Sequence, residues 1–210
     1  MIGFYNYTVI LTYLSLCSAV VGITQVFEGR DYIAILCLLI SGICDLFDGK
    51  VARHKKDRTD QEKVFGIQID SLADIVCFGV LPACIGYNYG FNYGLGLVSA
   101  VLIVLCGLIR LGYFNVMEQE RQQTTSENRK EYQGLPITTS SIILPLLFLG
   151  KHNIPDEAYP YVFQAFMVLL AVLFVLNIKV KKLSAKSIFL MFTLVALLIL
   201  GLWKFAPFKK

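Results

Sequence analysis

Apolar runs separated by short polar connectors dominate the chain, at residues 8–27, 31–49, 66–88, 94–114, 135–150, 160–178 and 187–205. Several reach the roughly 20 residues that a helix needs to cross a bilayer. The runs are continuous rather than alternating, which argues against a membrane barrel. Only helices and closed barrels satisfy their backbone hydrogen bonds in lipid. The pattern therefore predicts an all-α integral membrane protein.

The connectors differ in charge. Those at 50–65, 115–134 and 179–186 hold thirteen Lys and Arg, whereas the opposite ones hold only Arg30 and Lys151. By the positive-inside rule the basic connectors and the N-terminus face the cytoplasm. Seven spans then put the tail WKFAPFKK outside, although it carries three lysines. Either the last segment is re-entrant or interfacial, or charges so late in the chain matter little. YNYGFNYG (87–94) reads as an outer turn with tyrosines at the membrane interface. Pro136, Pro145 and the Gly134-Leu135-Pro136 step predict an irregular start to the fifth span.

Composition sharpens this picture. The 210 residues are 56% hydrophobic and 16% charged, less charge than a soluble domain of this size carries. MIGFYNYT lacks a basic region, so no cleavable signal is expected. The net charge of +4 is met by anionic lipid, and no nucleic-acid partner is expected. The six cysteines, at 17, 37, 44, 77, 84 and 106, lie in apolar runs without C-x-x-C spacing. They read as small apolar fillers rather than disulfides or metal ligands.

One feature resists the apolar pattern. Asp45 and Asp48 lie three apart at the cytoplasmic end of the second run. Asp70 and Asp74 lie four apart at the start of the third. Both spacings put a pair on one helix face. A single loop joins the two helices, so both pairs sit at one membrane depth. Four carboxylates there repel and desolvate at a cost of several kcal/mol unless protonated or matched by cations. Arg53 alone is poor compensation, so divalent metal is the natural completion. All-oxygen ligation suits Mg²⁺ or Mn²⁺ rather than zinc. His54 falls in the loop and is expected to face solvent or head groups.

Gly49 and Ala52 continue the Asp45/Asp48 face, and Gly66 sits four before Asp70. Small residues here leave room for a phosphorylated group to approach the helices. The same residues also permit close helix packing. Two metals at a cytoplasmic interface suit phosphoryl chemistry on a pyrophosphate. A carboxylate at the edge of the cluster can serve as general base for an incoming alcohol.

These residues resemble the signature of the CDP-alcohol phosphotransferases. Asp45, Asp48, Gly49, Ala52 and Arg53 fill D-x-x-D-G-x-x-A-R, and Gly66, Asp70 and Asp74 fill G-x-x-x-D-x-x-x-D. Eight fixed positions in order are a specific signal. The charged stretch between them (54–65) is longer than usual in the family. The resemblance spans about residues 8–150. It implies a six-helix membrane bundle over 1–178, commonly a homodimer. Residues 179–210 are then a basic connector and an additional C-terminal hydrophobic helix. It also implies two divalent ions, Mg²⁺ or Mn²⁺, held by Asp45, Asp48, Asp70 and Asp74. Asp74 is further implied as the catalytic base. Gly49, Ala52, Arg53 and Gly66 would line the CDP part of a lipid donor. Thr12 and Ser15, in LTYLS (11–15), are similar to a family segment that touches the nucleotide. Both could equally satisfy backbone within a membrane helix.

IRLGYFNV (109–116), YQGLPITTS (132–140) and DSLADIVCFGVLPA (70–83) are similar to stretches of the serine-using branch, the phosphatidylserine synthases. That likeness implies CDP-diacylglycerol and L-serine as substrates in the cell membrane, with membrane lipids as surroundings. Arg110 could bind the carboxylate of serine bidentately or snorkel to head groups. Asn115 could bind serine or cap its helix. Another acceptor, such as glycerol phosphate or an inositol phosphate, would use the same chemistry. An aspartate-rich membrane prenyltransferase is disfavoured because both pairs flank one short loop. A cation transporter is disfavoured because the acidic groups do not cross the bilayer depth.

Overall fold

The computed structural model describes residues 3–4, 7–54, 59–89, 94–124, 131–181 and 185–205. Among them the architecture is all-α apart from one short two-stranded ribbon. Helix α1 spans Ile10–Phe27 and follows a 3₁₀ turn at Tyr7–Val9. Its buried residues Thr12, Ser15, Ala19, Gly22 and Val26 recur every three or four positions and form one stripe of mostly small side chains. Helix α2, Asp31–His54, packs on that stripe. A Cβ on Gly22 would lie 2.9 Å from the Cβ of Cys37, so glycine sets this close approach. The Ser41 hydroxyl donates to the Ser15 carbonyl across 2.9 Å, binding the pair further.

The polar connector expected over 50–65 is largely helical where it is described. Helix α2 continues to His54, and α3 covers Asp60–Asp74. Thr59 starts α3 through a capping box: its hydroxyl accepts from Glu62 N–H, and the Glu62 carboxylate accepts from Thr59 N–H. The T-x-x-E pattern carried this signal, and the charge density of the stretch masked it. Residues 55–58 lie outside the described part.

After Asp74 the rod passes through a π-helical turn, Ile75–Val80, into α4, Leu81–Tyr89. Pro82 explains the turn. It has no N–H for the Phe78 carbonyl, and the ladder shifts so that Leu81 N–H reaches Val76 O instead. The hydroxyl of Ser140 donates to the Phe78 carbonyl across 3.1 Å. Because α3 and α4 make one rod, the helices among the described residues form seven rods and match the seven apolar runs.

Helix α5, Leu95–Thr124, runs ten residues past its expected end. The extension is rich in Glu, Gln and Arg, good helix formers, and carries a Glu118–Arg121 ion pair at 2.6 Å. Strand β1, Glu131–Gln133, then pairs antiparallel with β2, Lys179–Lys181, so two connectors expected as loops meet in a ribbon. Gly134 ends β1 at φ +73°, with its N–H on Ile178 O at 2.8 Å. A Cβ there would lie 2.6 Å from the Phe174 carbonyl oxygen, so only glycine fits. Residues 135–139 are irregular or 3₁₀, as the Gly-Leu-Pro step predicts. Helix α6 follows at Ser140–Gly150, α7 at Tyr159–Val175 and α8 at Ala185–Phe205.

Phe78, Phe163 and Phe174 are the largest fully buried side chains of the core. Helix α8 is seated on α2 and α6. Phe192, Val195 and Ile199 are buried, and the Tyr32 hydroxyl donates to Ile199 O across 2.8 Å. At the opposite end of the molecule from the basic connectors, Asn88 donates to Asp31 across 2.8 Å and the Lys151 ammonium lies over the rings of Tyr89 and Tyr159. Tyr89 thus packs into the bundle, while residues 90–93 of the tyrosine-rich turn lie outside the described part.

Among the described residues, Tyr7–Phe27, Asp31–Gly49, Asp60–Tyr89 and Leu95–Arg121 are long and apolar enough to cross a bilayer. The outer faces of these helices expose Leu14, Val21, Val101, Leu105 and Leu108. A chain with mean hydropathy +0.64 and such outward faces is a multi-pass membrane protein.

Candidate active site

Helices α2 and α3 run antiparallel, and the two aspartate pairs meet across them in reversed order. Asp45 faces Asp74, and Asp48 faces Asp70, each pair within hydrogen-bonding reach. Carboxylate oxygens of Asp45, Asp70 and Asp74 all lie within 4.8 Å of one another, with each residue half-buried. Asp48 is buried, at 8% exposure. Carboxylates this close, partly removed from water, need positive charge or protons between them. Their donor set is all oxygen, convergent and anionic, which fits a hard divalent cation.

The first helix reaches into this cluster. The Thr12 hydroxyl donates to Asp48 Oδ2 across 3.3 Å, and Thr12 is itself buried. Ser15, one turn further, lies elsewhere: its hydroxyl donates to Ser41 O at 3.2 Å and lies 3.3 Å from Cys77 Sγ. Gly49 adjoins Asp48, and a Cβ built on it meets nothing within 4 Å. The α2 face beside the carboxylates is therefore open at that position. Gly66 is half-buried on α3, one turn before Asp70. Ala52 and Arg53 continue α2, with side chains outside the described part of the structure.

Helix α5 supplies the third wall. Arg110 is buried at 8% exposure, lies within electrostatic reach of Asp74 and stacks over Phe114 at 5.9 Å. The sequence could not bring Arg110 and Asp74 together; the packing of α5 along the α3–α4 rod does so. Asn115 lies one layer nearer the basic connectors and touches Ser71 of α3. Its Nδ2 donates to Ser71 Oγ at 2.9 Å, and that hydroxyl lies 3.2 Å from Asn115 Oδ1. Ser71 is a site residue the sequence reading missed. It sits three before Asp74, hence on nearly the same helix face, but a lone serine in a membrane helix usually bonds its own backbone.

The carboxylates clustered at one end of this helical bundle, with an open glycine beside them and a buried arginine near Asp74, form a donor set that could hold divalent metal. The family model for CDP-alcohol phosphatidyltransferase matches residues 5–206, and the chain belongs to that family. The match runs through α8. Among curated relatives, the chain is 35% identical over 169 residues to a CDP-diacylglycerol–serine O-phosphatidyltransferase of Helicobacter pylori, covering 77% of this chain and 67% of the relative. It is 33% identical over 126 residues to the protein of the same name from Saccharomyces cerevisiae, covering 59% and 44%. It is 32% identical over 141 residues to an archaetidylserine synthase of Methanothermobacter thermautotrophicus, covering 67% and 56%.

Proposed function

We propose that this chain transfers the phosphatidyl group of CDP-diacylglycerol to the hydroxyl of L-serine, giving phosphatidylserine and CMP. The observation that carries the reading is the convergence of Asp45, Asp70 and Asp74 within 4.8 Å on the eight-position family signature, with Arg110 facing Asp74. Relatives named for serine transfer, including one whose name specifies an archaeal lipid, support serine as the acceptor rather than fixing the lipid tails.

Asp45, Asp48, Asp70 and Asp74 would hold two Mg²⁺ or Mn²⁺ ions. When bound, such ions neutralise pyrophosphate charge, polarise phosphorus and stabilise the leaving oxygen. The rest is the work of this chain's own residues. Asp74 takes the proton of the serine hydroxyl as its oxygen bonds to the phosphatidyl phosphorus. The bond from that phosphorus to the bridging oxygen breaks, and CMP leaves with the electron pair. Thr12 orients Asp48. Gly49, Gly66, Ala52 and Arg53 border the CDP moiety, with Ser15 fixing α1 behind Thr12. Arg110 receives the serine carboxylate bidentately, and Asn115 completes the acceptor side.

The excess of Lys and Arg in the connectors at this end supports a cytoplasmic active site and N-terminus in the cell membrane. Residues 1–178 form the catalytic membrane domain and 179–210 the basic connector with its added helix. By family resemblance the working unit is a homodimer in membrane lipid. Purified protein given CDP-diacylglycerol, Mg²⁺ or Mn²⁺ and labelled serine should yield CMP and phosphatidylserine. Product with glycerol phosphate or an inositol phosphate, and none with serine, would overturn the acceptor while leaving the family.

A further inference from the structure

Each helix that bears on the carboxylate cluster carries a second polar residue about one turn deeper in the bundle. On α1, Ser15 follows Thr12 by three positions. On α2, Ser41 precedes Asp45 by four. On the α3–α4 rod, Cys77 follows Asp74 by three. These three residues meet. The Ser41 hydroxyl donates to Ser15 O across 2.9 Å, and the Ser15 hydroxyl donates to Ser41 O across 3.2 Å. The Cys77 sulfur lies 3.3 Å from Ser15 Oγ. All three residues are buried. A hydroxyl has one proton to give. Since that of Ser15 goes to Ser41 O, the thiol is the donor to Ser15 Oγ.

Serine in a membrane helix commonly bonds its own backbone, and cysteine commonly fills space. Here the bonds cross between helices, over 26 and 62 positions of sequence. Asp74 and Asp45 both lie within electrostatic reach of the Cys77 sulfur, so the triad borders the cluster. Helices α1 and α2 are tied again one turn further on, where the Ser18 hydroxyl donates to Cys37 O across 3.0 Å. At the depth of the triad, the thiol joins the rod that carries Asp70 and Asp74 to this α1–α2 pair. We propose that Cys77 is a positioning residue for the carboxylate cluster: its bond to the Ser15–Ser41 pair fixes Asp70 and Asp74 against Asp45 and Asp48, and so sets the affinity of the cluster for a divalent cation. The inference rests on the metal reading above and deepens it. A partner behind the ligands that holds them in register tunes a metal site as strongly as some ligands do.

The test uses full-length protein, purified in detergent and treated with chelator, as wild type, Cys77→Ala, Cys77→Ser and Ser18→Ala. Mg²⁺ or Mn²⁺ is added without CDP-lipid, and the melting temperature is followed against metal concentration. The concentration at which melting begins to rise reports the affinity of the folded site. Cys77→Ala should shift it upward on the order of tenfold. Cys77→Ser, which keeps a donor, should recover most of that loss. Ser18→Ala removes a comparable bond further from the carboxylates and should stay within about twofold of wild type. At saturating metal, KM for CDP-diacylglycerol and for L-serine should be near wild type in Cys77→Ala, because the substrates do not touch the thiol. The inference falls if Cys77→Ala lowers the melting temperature in chelator but leaves the metal dependence unchanged, which is a packing role alone. It also falls if Ser18→Ala shifts the metal dependence as far as Cys77→Ala does, or if Cys77→Ser is as impaired as Cys77→Ala. Wild-type melting that ignores both metals overturns the metal reading itself, a result distinct from a metal response that ignores Cys77.

Discussion

Thr12 on the first helix donates a hydrogen bond to Asp48 on the second across 3.3 Å, and both residues are buried. The bond makes α1 part of the carboxylate cluster although α1 contributes no charge to it. A carboxylate with a fixed oxygen presents its other oxygen in one direction, which is how outer partners tune metal ligands. Thr12→Val keeps the shape and removes the donor. It should weaken activation by Mg²⁺ on the order of tenfold, within the range such partners show, and Thr12→Ser should recover most of it. The check is a metal titration of turnover at saturating CDP-diacylglycerol and serine.

Asp74 belongs to the carboxylate cluster and lies within electrostatic reach of Arg110. As asparagine it keeps one ligand oxygen but cannot accept a proton from the attacking hydroxyl. Turnover of Asp74→Asn should fall on the order of 10²- to 10⁴-fold, the usual contribution of a general base. Binding of CDP-diacylglycerol should remain measurable by equilibrium dialysis in detergent. Full activity in this variant would remove Asp74 from the role of base.

Ser140 answers a defect that Pro82 creates. Its hydroxyl donates to Phe78 O at 3.1 Å and lies 2.9 Å from Ile137 O, and the residue is fully buried. Ser140→Ala leaves the Phe78 carbonyl without this donor beside the π-helical turn that follows Asp74. The expected cost is about 1–2 kcal/mol of stability, read as a lower melting temperature of the detergent-solubilised protein. A variant that melts with wild type would show that the carbonyl finds another donor.

The rods and the four aspartates are legible in the sequence, because hydropathy and helical spacing are local properties. What escaped was set by contacts distant in sequence. The approach of Arg110 to Asp74 depends on how α5 lies along the α3–α4 rod. The Ser71–Asn115 pair spans forty-four positions. The β1–β2 ribbon joins connectors that no periodicity links, and it needs Gly134 at positive φ against a helix end. The early start of α3 was a different failure. Thr59 and Glu62 spelled out a capping box, but the charged residues around them read as loop.

Topology gives a sign-definite prediction. Gln61 on α3 lies at the carboxylate end of the molecule and Asn153 at the other, and both are exposed. If the basic connectors face the cytoplasm, a cysteine at Asn153 reacts with a membrane-impermeant maleimide in intact cells. A cysteine at Gln61 then reacts only after permeabilisation, in a chain whose own cysteines are replaced. The reverse pattern would place the active site outside.

The last prediction concerns the cluster without its substrates. Asp45 faces Asp74 and Asp48 faces Asp70 across two helices, so the fold holds four acidic groups together against their mutual repulsion. A cation that binds only this folded arrangement stabilises it by RT ln(1 + [L]/Kd), which is about 2.7 kcal/mol at a hundredfold excess over Kd. Mg²⁺ or Mn²⁺ should therefore raise the melting temperature of the chelator-treated protein in a saturable manner, with no CDP-lipid present. Asp45→Asn and Asp70→Asn should each shift that saturation to higher metal. They should also melt at or above the wild-type temperature in chelator, because each removes one like charge from the cluster. Metal-independent melting of wild type would show that protons alone neutralise the four carboxylates. Asp45→Asn melting well below wild type in chelator would show that the cross-helix carboxyl pair holds α2 to α3 rather than pushing them apart.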